Sequence, residues 1–278
     1  MSNKIQSPKD KNSYNDYLTF ALKLSKRAGR EMLNHFNPLG FPAKSKKDQS
    51  AITIVDTLLN QLVIDAVHAK FPLHDILSEE GSSLGNKSDY VWVCDPLDGT
   101  RQFSMGTANF AFSIALTYKG KPILGVIFEP YMKKLFQAVV GQGARSNGKL
   151  IRVSKKNRLT DSLCFFNTRT RSTYNILGFI PILIAHAKRV YNLACCAVES
   201  NLVASGLAEA VVYANNSAHD FAAVKVIVEE AGGKVTDLWG HEQRYDKPLK
   251  GVVVSNGHVH KQLVSLLHIT LEKQRYSP

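Results

Sequence analysis

The stretch Tyr90-Val-Trp-Val-Cys-Asp95-Pro-Leu-Asp98-Gly-Thr100 joins an apolar run to a turn that carries two carboxylates. Its first half is β-branched and aromatic, which is typical of a buried strand. Because proline cannot donate to a sheet ladder, Pro96 predicts that the strand ends at Asp95. The sequence then predicts a turn or helix start, with Asp98 as an Asx-type cap and Gly99 allowing the backbone to approach a ligand.

These two carboxylates indicate a metal site. Asp95 and Asp98 offer the hard oxygen ligands that divalent cations prefer. The N–H groups of Gly99 and Thr100 follow directly and would bind an anion beside the cation. The alternative is a solvated turn with a capping aspartate, but the complete hexapeptide after a hydrophobic strand favours the metal site.

The composition is that of a globular protein. The chain has 278 residues, of which 44% are hydrophobic and 21% charged, enough for one large core or two fused subdomains. The longest apolar segment, 176–187, is interrupted by Pro181 and is shorter than the roughly 20 residues of a membrane span. The first residues are polar and lysine-bearing, without the apolar stretch of a signal peptide. We therefore expect a cytoplasmic protein that does not enter membranes, with residues 1–13 as a disordered basic tail.

The cysteines and the net charge leave the class of ligand open. The four cysteines form no Cys-x-x-Cys pair, so we interpret them as reduced core thiols. The net charge of +12 is compatible with nucleic acid or with steering of anionic substrates. The lysines and arginines form short, scattered groups rather than a run of five or more, so nucleic-acid binding is possible but not favoured.

The hydrophobic pattern predicts two subdomains. Residues 14–158 are expected to form an α+β subdomain with an antiparallel sheet, and residues 159–278 a layered α/β subdomain. The predicted helices are 14–36, a second that opens at 53–56, 176–187, 198–207, 221–233 and 259–271. The predicted strands are 76–77, 91–95, 110–118, 123–128, 135–140, 163–166, 189–192, 210–213 and 251–255.

Three further acids stand near predicted element ends. Asp56 follows Thr53 in a pattern close to a capping box, so a purely structural role is an alternative. Glu79 lies in the loop after the short strand 76–77, one strand before the Asp95 turn, which makes a metal held by Glu79, Asp95 and Asp98 geometrically plausible. Asp220 stands at the start of a helix, where a simple N-cap is the alternative. Spacing alone does not choose between these roles.

Taken together, these motifs resemble the inositol monophosphatase superfamily of metal-dependent phosphomonoesterases. The resemblance runs from about Tyr14 to Leu267. It rests on four signatures in order: Lys47-Asp48-x-Ser50-x-x-Thr53-x-x-Asp56, Glu79-Glu80, Trp92-Val-x-Asp95-Pro-Leu-Asp98-Gly-Thr100, and Asp220-x-Ala222-Ala223 leading to Glu230-Ala-Gly-Gly233.

The resemblance implies a layered αβαβα sandwich, a homodimer and two or three Mg²⁺ ions per active site. Glu79, Asp95 and the Leu97 carbonyl would hold one ion, and Asp95, Asp98 and Asp220 a second. Thr100 and Asp56, with Glu79 beside them, would orient and deprotonate the attacking water. The resemblance further implies a substrate and phosphate site of Asp98, Gly99, Thr100, Cys195, Cys196 and Tyr213.

The departures from the family pattern concern the substrate. Tyr213 stands at the position of an acid that contacts ring hydroxyls in inositol-specific members, and Leu193-Ala194-Cys195 stands for a Gly-Ser/Thr-Ala segment. The predicted function is therefore Mg²⁺-dependent hydrolysis of a small soluble phosphate monoester, of the inositol monophosphatase type. Histidinol phosphate and 3′-phosphoadenosine 5′-phosphate are alternative substrates. A regulatory protein that binds RNA or a transcription complex is the alternative from a different class.

Overall fold

The computed structural model of the chain describes residues 13–45, 51–166, 174–214 and 217–275. The predicted tail lies outside these residues apart from Ser13, and its disorder stays a prediction. Residues 47–50 of the first signature also lie outside them. The helices are α1 (Tyr14–His35), α2 (Ile54–Lys70), α3 (Thr100–Ser104), α4 (Phe179–His186), α5 (Cys196–Ala204), α6 (Ala218–Glu230) and α7 (His260–Arg275). The strands are β1 (Lys44–Ser45), β2 (Ala51–Ile52), β3 (Asp75–Ser78), β4 (Tyr90–Asp98), β5 (Ala111–Tyr118), β6 (Lys121–Glu129), β7 (Lys134–Val139), β8 (Ala144–Ser146), β9 (Lys149–Leu150), β10 (Leu163–Phe166), β11 (Arg189–Tyr191), β12 (Ala210–Tyr213), β13 (Lys234–Thr236) and β14 (Val252–Ser255).

Two large sheets and three helical layers form the molecule, with β1 and β2 as a small separate sheet. The described strands give a seven-stranded sheet in the order β3-β4-β5-β6-β7-β8-β9 and a five-stranded sheet in the order β11-β10-β12-β14-β13. Helices α1 and α2 pack on the outer face of the larger sheet, α5 and α6 lie between the sheets, and α4 and α7 cover the smaller sheet. This arrangement confirms the predicted αβαβα sandwich. The larger sheet is antiparallel as predicted, except that β3 runs parallel to β4.

Strand β4 is buried on both faces because its side chains alternate between two cores. Val91 and Val93 belong to the core that contains α5 and α6, whereas Trp92 and Cys94 belong to the core beneath α1 and α2. The Trp92 ring is fully buried, and replacing such a ring with alanine typically costs about 3–5 kcal/mol. An unbroken apolar run is what a strand covered on both faces requires.

The predicted end of this strand at Asp95 is wrong. β4 continues through Pro96 to Asp98, because the pairing with β5 shifts register between Asp95 and Asp98. Asp95 pairs with Ser113 and Asp98 with Ala111, so β4 carries one residue more than β5 over this span. A β-bulge leaves one residue outside the ladder, and proline is tolerated there because its missing N–H is not needed.

Other predictions from the sequence fare differently. The predicted core thiols are confirmed, since all four cysteines are free and buried. The division at residues 158 and 159 stays a prediction, and residues from both halves share the apolar layer around α5 and α6. Within the described residues, no helix has the combination of length and apolar character needed to cross a bilayer.

Candidate metal centre

The parallel pairing of β3 and β4 brings Glu79 beside Asp95. Ser78 pairs with Cys94, and the Glu79 N–H then donates to the Cys94 carbonyl at 3.3 Å. Glu79 therefore continues the ladder by one residue and stands level with Asp95. This placement confirms the expectation that the two strand ends are neighbours.

The bulge at the end of β4 directs Asp95. Its carboxylate is almost fully buried, and Oδ1 accepts a hydrogen bond from the Leu97 N–H at 3.0 Å. The Leu97 carbonyl in turn accepts from the Thr100 hydroxyl at 3.0 Å. These two hydrogen bonds stabilise the bulge and hold the Asp95 carboxylate beside the turn that follows.

Asp98 does not cap the helix that follows it, so the Asx-cap prediction is wrong. Gly99 is the N-cap of α3 and has φ +87°, a left-handed conformation that turns the chain away from the Asp98 side chain. A Cβ on Gly99 would lie 2.5 Å from the Asn109 carbonyl oxygen. The turn therefore requires glycine for both conformation and space.

Asp98 caps a distant helix instead. Its Oδ2 accepts from the Ala197 N–H at 2.7 Å and from the thiols of Cys195 and Cys196 at 3.1 and 3.3 Å. Cys195, the N-cap of α5, makes no side-chain capping bond of its own. A carboxylate at a helix start satisfies unpaired N–H groups and interacts favourably with the helix dipole. Asp98 thus ties β4 to α5.

Asp56 combines the two roles that the sequence left open. Its Oδ2 accepts from the Thr53 N–H at 2.7 Å and the Thr53 hydroxyl at 2.5 Å, which completes the predicted capping box of α2. Its Oδ1 accepts from the Thr100 hydroxyl at 2.8 Å. Asp56 therefore caps α2 and also contacts Thr100 in the turn after β4. The Asp56–Thr100 pair expected from the resemblance is in contact.

Asp220 lies in the first turn of α6, but it is not the N-cap, which is Ser217. The simple capping alternative for Asp220 is therefore wrong. Its Oδ1 lies 3.4 Å from Nε2 of His219, and its carbonyl accepts from the Cys196 thiol at 3.4 Å. Asp220 is also close enough to raise the pKa of Asp95.

The carboxylates around Asp95 share one electrostatic environment. Burial raises the pKa of Asp95 well above its usual value, and Glu79, Asp98 and Asp220 raise it further. Burial also raises the pKa of Asp98, against the opposing effect of its hydrogen bonds to Ala197 and the two thiols. Among the described residues, no lysine or arginine is a main influence on either group. Like charges close together in a site of low polarity repel one another, and a divalent cation would relieve that repulsion.

The carboxylate oxygens therefore fit a divalent cation, although in this structure the side chains are not arranged as a complete set of metal ligands. Within the described part of the chain, no three His, Cys, Asp or Glu side chains converge closely enough to hold an ion. Asp98 gives one physical reason, because its Oδ2 is turned toward the α5 N-terminus. The ligand roles of Glu79, Asp95, Leu97, Asp98 and Asp220, and the number of ions, stay predictions.

The residues predicted to contact substrate form a buried wall beside Asp98. Cys195, Cys196 and Tyr213 are 0%, 2% and 4% exposed. The Tyr213 hydroxyl donates to Oε2 of Glu199 at 2.7 Å, so it points into the protein. Their contacts with substrate, and those of Gly99 and Thr100 with phosphate, stay predictions.

Sequence reasoning missed Glu199 and the Ala197 N–H. The Ala197 N–H donates to the distant Asp98, and Glu199 accepts from Leu193, Ala194 and Tyr213. Neither group belongs to a recognisable motif. An acid inside an otherwise apolar and small-residue helix was the one available signal for Glu199, since such an acid is rarely buried without a partner.

Comparison with known proteins identifies the family. The inositol monophosphatase family model matches residues 13–272. A Thermotoga maritima protein named fructose-1,6-bisphosphatase/inositol-1-monophosphatase is 30% identical over 259 residues, covering 93% of this chain and 98% of that protein. The Nus factor SuhB of Pseudomonas aeruginosa is 31% identical over 239 residues, covering 83% and 88% of the two chains.

Solved structures agree with the sequence comparison. The structure of a Thermotoga maritima IMPase superimposes with a TM-score of 0.81 at 30% identity, covering 93% of this chain and 99% of that chain. The resemblance inferred from the four signatures is thereby confirmed over nearly the whole chain. The chain belongs to the inositol monophosphatase family.

Proposed function

We propose that the chain is a Mg²⁺-dependent phosphatase that hydrolyses a small phosphate monoester. The observation that carries the proposal is the placement of Glu79, Asp98 and Asp220 around the buried Asp95, whose pKa all three carboxylates raise. A site of this kind suits a hard divalent cation and, through it, a phosphate dianion.

The proposed roles follow from the placement of each group. Glu79, Asp95, Asp98 and Asp220, with the Leu97 carbonyl, would hold the metal ions. When bound, these ions neutralise phosphate charge, activate water and stabilise the leaving alkoxide. The left-handed turn at Gly99 leads the backbone of residues 99 and 100 past Asp98, where their N–H groups would bind the phosphate.

The Asp56–Thr100 pair would control the attacking water. The Thr100 hydroxyl has one proton, and it is within hydrogen-bond distance of both Asp56 Oδ1 and the Leu97 carbonyl. Burial raises the pKa of Asp56, and the bonds from Thr53 and Thr100 oppose that rise. A carboxylate with a raised pKa is a better proton acceptor at neutral pH, which is the property a general base needs.

The test is phosphate release with and without Mg²⁺ from a panel of phosphate monoesters. The panel contains inositol 1-phosphate, fructose 1,6-bisphosphate, histidinol phosphate and 3′-phosphoadenosine 5′-phosphate. We expect turnover that requires Mg²⁺ and is removed by a chelator, with one compound well above the others. If none of these compounds shows Mg²⁺-dependent turnover, the proposal is wrong. The homodimer, expected from the family, is tested separately by light scattering.

A second candidate function is binding to RNA or to a transcription complex. It is favoured by the similarity to a protein named as a Nus factor and by the net charge of +12. Salt-sensitive RNA binding that persists in Asp95→Asn, together with a wild type that releases no phosphate, would support this candidate over the phosphatase.

A further inference from the structure

The start of α5 is held by two carboxylates from opposite sides. Asp98 reaches it from β4 through the Ala197 N–H at 2.7 Å. Glu199 reaches back from the first turn of the helix, and its Oε1 accepts from the Leu193 N–H at 2.6 Å and the Ala194 N–H at 3.2 Å. The segment 193–197 is therefore fixed between a residue of the candidate metal centre and a buried acid that has no assigned role.

This segment needs external support. Ala194 has φ +54°, a left-handed conformation that costs a residue with a Cβ about 1 kcal/mol or more. Cys195 provides no side-chain cap for the helix. Because Glu199 binds the N–H groups on the N-terminal side of Cys195 and Asp98 binds one inside the helix, the two acids together stabilise a strained and uncapped helix start.

Tyr213 connects this arrangement to α6, the helix that carries Asp220. Its hydroxyl donates to Glu199 Oε2 at 2.7 Å, and its ring packs edge-on against Phe221 with centroids 5.3 Å apart. Phe221 follows Asp220 directly in α6. Glu199 is therefore connected through α5 to Asp98 and through Tyr213 to the helix that carries Asp220.

Glu199 is also electrostatically coupled to the site. Burial is the main cause that raises its pKa to about 7, the bonds from Tyr213, Leu193 and Ala194 oppose that rise, and the charge of Asp98 adds to it. Asp98 on β4 and Tyr213 on β12 influence the pKa of Glu199 directly. Around them lie the thiols of Cys195 and Cys196 at the start of α5, and Glu129 on β6 and Asp220 on α6 act in turn on these thiols.

We propose that Glu199 is a positioning residue that fixes the start of α5 against Asp98 and thereby raises the affinity of the site for its divalent cation. This inference rests on the proposed function, because it requires Asp98 to contribute to a metal site. Glu199 acts through the helix start and through its negative charge, and it is not itself a metal ligand or a catalytic group.

The sign of the pH dependence follows from linkage. A cation near Asp98 favours ionised Glu199, so ionised Glu199 must equally favour the cation. Above pH 7 Glu199 is mostly charged and the affinity for Mg²⁺ is highest. As the pH falls through 7, Glu199 gains a proton and this part of the affinity is lost.

The test is calorimetric titration of Mg²⁺ into the wild type and Glu199→Gln between pH 6 and 8.5. Glutamine retains an acceptor for Leu193 and Ala194 and an amide that can donate to the Tyr213 oxygen, so it removes the charge with little change in shape. At pH 8 we expect affinity for Mg²⁺ about three- to tenfold weaker than in the wild type, the range for one partly screened charge. The wild-type decline in affinity near pH 7 is expected to flatten, and kcat at saturating Mg²⁺ is expected to change by less than about twofold.

Two further variants separate positioning from general stability. Glu209→Gln removes another fully buried acid, which binds Ser154 and the Leu163 N–H away from the site, and it should leave the affinity for Mg²⁺ unchanged. Tyr213→Phe keeps the Glu199 charge but removes a bond that lowers its pKa. The pH midpoint of Mg²⁺ affinity should therefore move upward in Tyr213→Phe.

The outcomes distinguish the inference from the proposed function. Equal affinity for Mg²⁺ in the wild type, Glu199→Gln and Tyr213→Phe at every pH overturns the inference and leaves the proposed function standing. Absence of Mg²⁺ binding to the wild type overturns both. If Glu199→Gln does not fold, the direction of the Tyr213→Phe midpoint decides the question.

Discussion

The end of β4 and the start of α5 meet at the Asp98 carboxylate, but they are built in different ways. At the end of β4 the groups lie within a few residues of one another, tied by the bonds from Leu97 to Asp95 and from Thr100 to the Leu97 carbonyl. At the start of α5 the bonds join segments far apart in the chain, such as Asp98 to Ala197. The first region therefore has a readable sequence motif, and the second does not.

The two regions also have different proposed roles, one in the reaction and one in holding a reacting group in place. In our account the residues at the end of β4 bind the ions and orient water, whereas those at the start of α5 hold one of these residues in place. Substitutions in the first region should abolish turnover. Substitutions in the second should change affinity or stability by smaller amounts.

The largest effect is expected for Asp95→Asn. Loss of a ligand common to the proposed ions should lower Mg²⁺-dependent phosphate release about a thousandfold or more, since metal charge stabilisation is worth several kcal/mol. The matched control is Asp75→Asn, which removes a buried acid of β3 that accepts from Asn86 and Ser88. Wild-type turnover in Asp95→Asn would contradict the assignment.

The same variant carries a stability prediction with a defined sign. The pKa of Asp95 is raised in the folded protein, so ionisation of Asp95 destabilises the fold above that pKa and not below the unfolded value of about 3.9. Without divalent cations, Asp95→Asn should melt at a higher temperature than the wild type at pH 8. The difference should shrink as the pH falls toward 4, as measured by thermal denaturation.

A smaller loss is expected for Thr100→Ala. Removing the hydroxyl that donates to Asp56 Oδ1 should lower kcat about 10²- to 10³-fold, in the lower part of the range usual for positioned proton transfer. Thr100→Ser keeps the hydroxyl and should recover most of the activity. Equal kcat values for the alanine and serine variants would show that the hydroxyl has no such role.

In the second region, Cys196→Ala should have a modest effect. It removes one of the thiols that donate to Asp98 Oδ2 while the Ala197 N–H remains. The affinity for Mg²⁺ should fall by only a few-fold, because a thiol is a weak donor. Cys196→Ser retains a donor and should bind Mg²⁺ like the wild type, and a large loss in the serine variant would argue against hydrogen bonding as the cause.

The smallest effect on turnover is expected for Lys156→Ala, far from both regions. Lys156 lies 3.2 Å from the fully buried Glu209, but its own side chain is 44% exposed. Solvent therefore weakens the pair, and urea denaturation should show a loss of about 1 kcal/mol in unfolding free energy. Phosphate release should be unchanged, and a decrease there would mean that the network around Glu209 reaches the site.

The buried strand and the acids after it could be predicted because their signals are local, whereas the αβαβα layering was implied by the family resemblance. Val91, Trp92 and Val93 indicate a strand buried on both sides, and the acids after it stand at fixed spacing from that strand. The strand's path through Pro96 could not be predicted, because the bulge depends on the register with Ser113 and Ala111.

The hydrogen bonds of Glu199 could not be predicted from the sequence for a related reason. Its bond to Tyr213 forms only when β12 packs against α5, and its bond to the Leu193 N–H requires the left-handed conformation of Ala194 between them. An acid at this position reads as an ordinary helix residue until the fold buries it completely. The spacing of residues in a sequence predicts which groups are neighbours along the chain. It does not predict that a distant carboxylate such as Asp98 caps the start of α5.

The most direct test of the account is a crystal structure of the protein soaked in Mn²⁺, with the ions located by anomalous scattering. We predict an anomalous peak enclosed by Glu79, Asp95, Asp98 and Asp220, with Asp98 still bound to the Ala197 N–H. A structure with ordered carboxylates and no peak among them, at a Mn²⁺ concentration that supports turnover, would contradict the central claim.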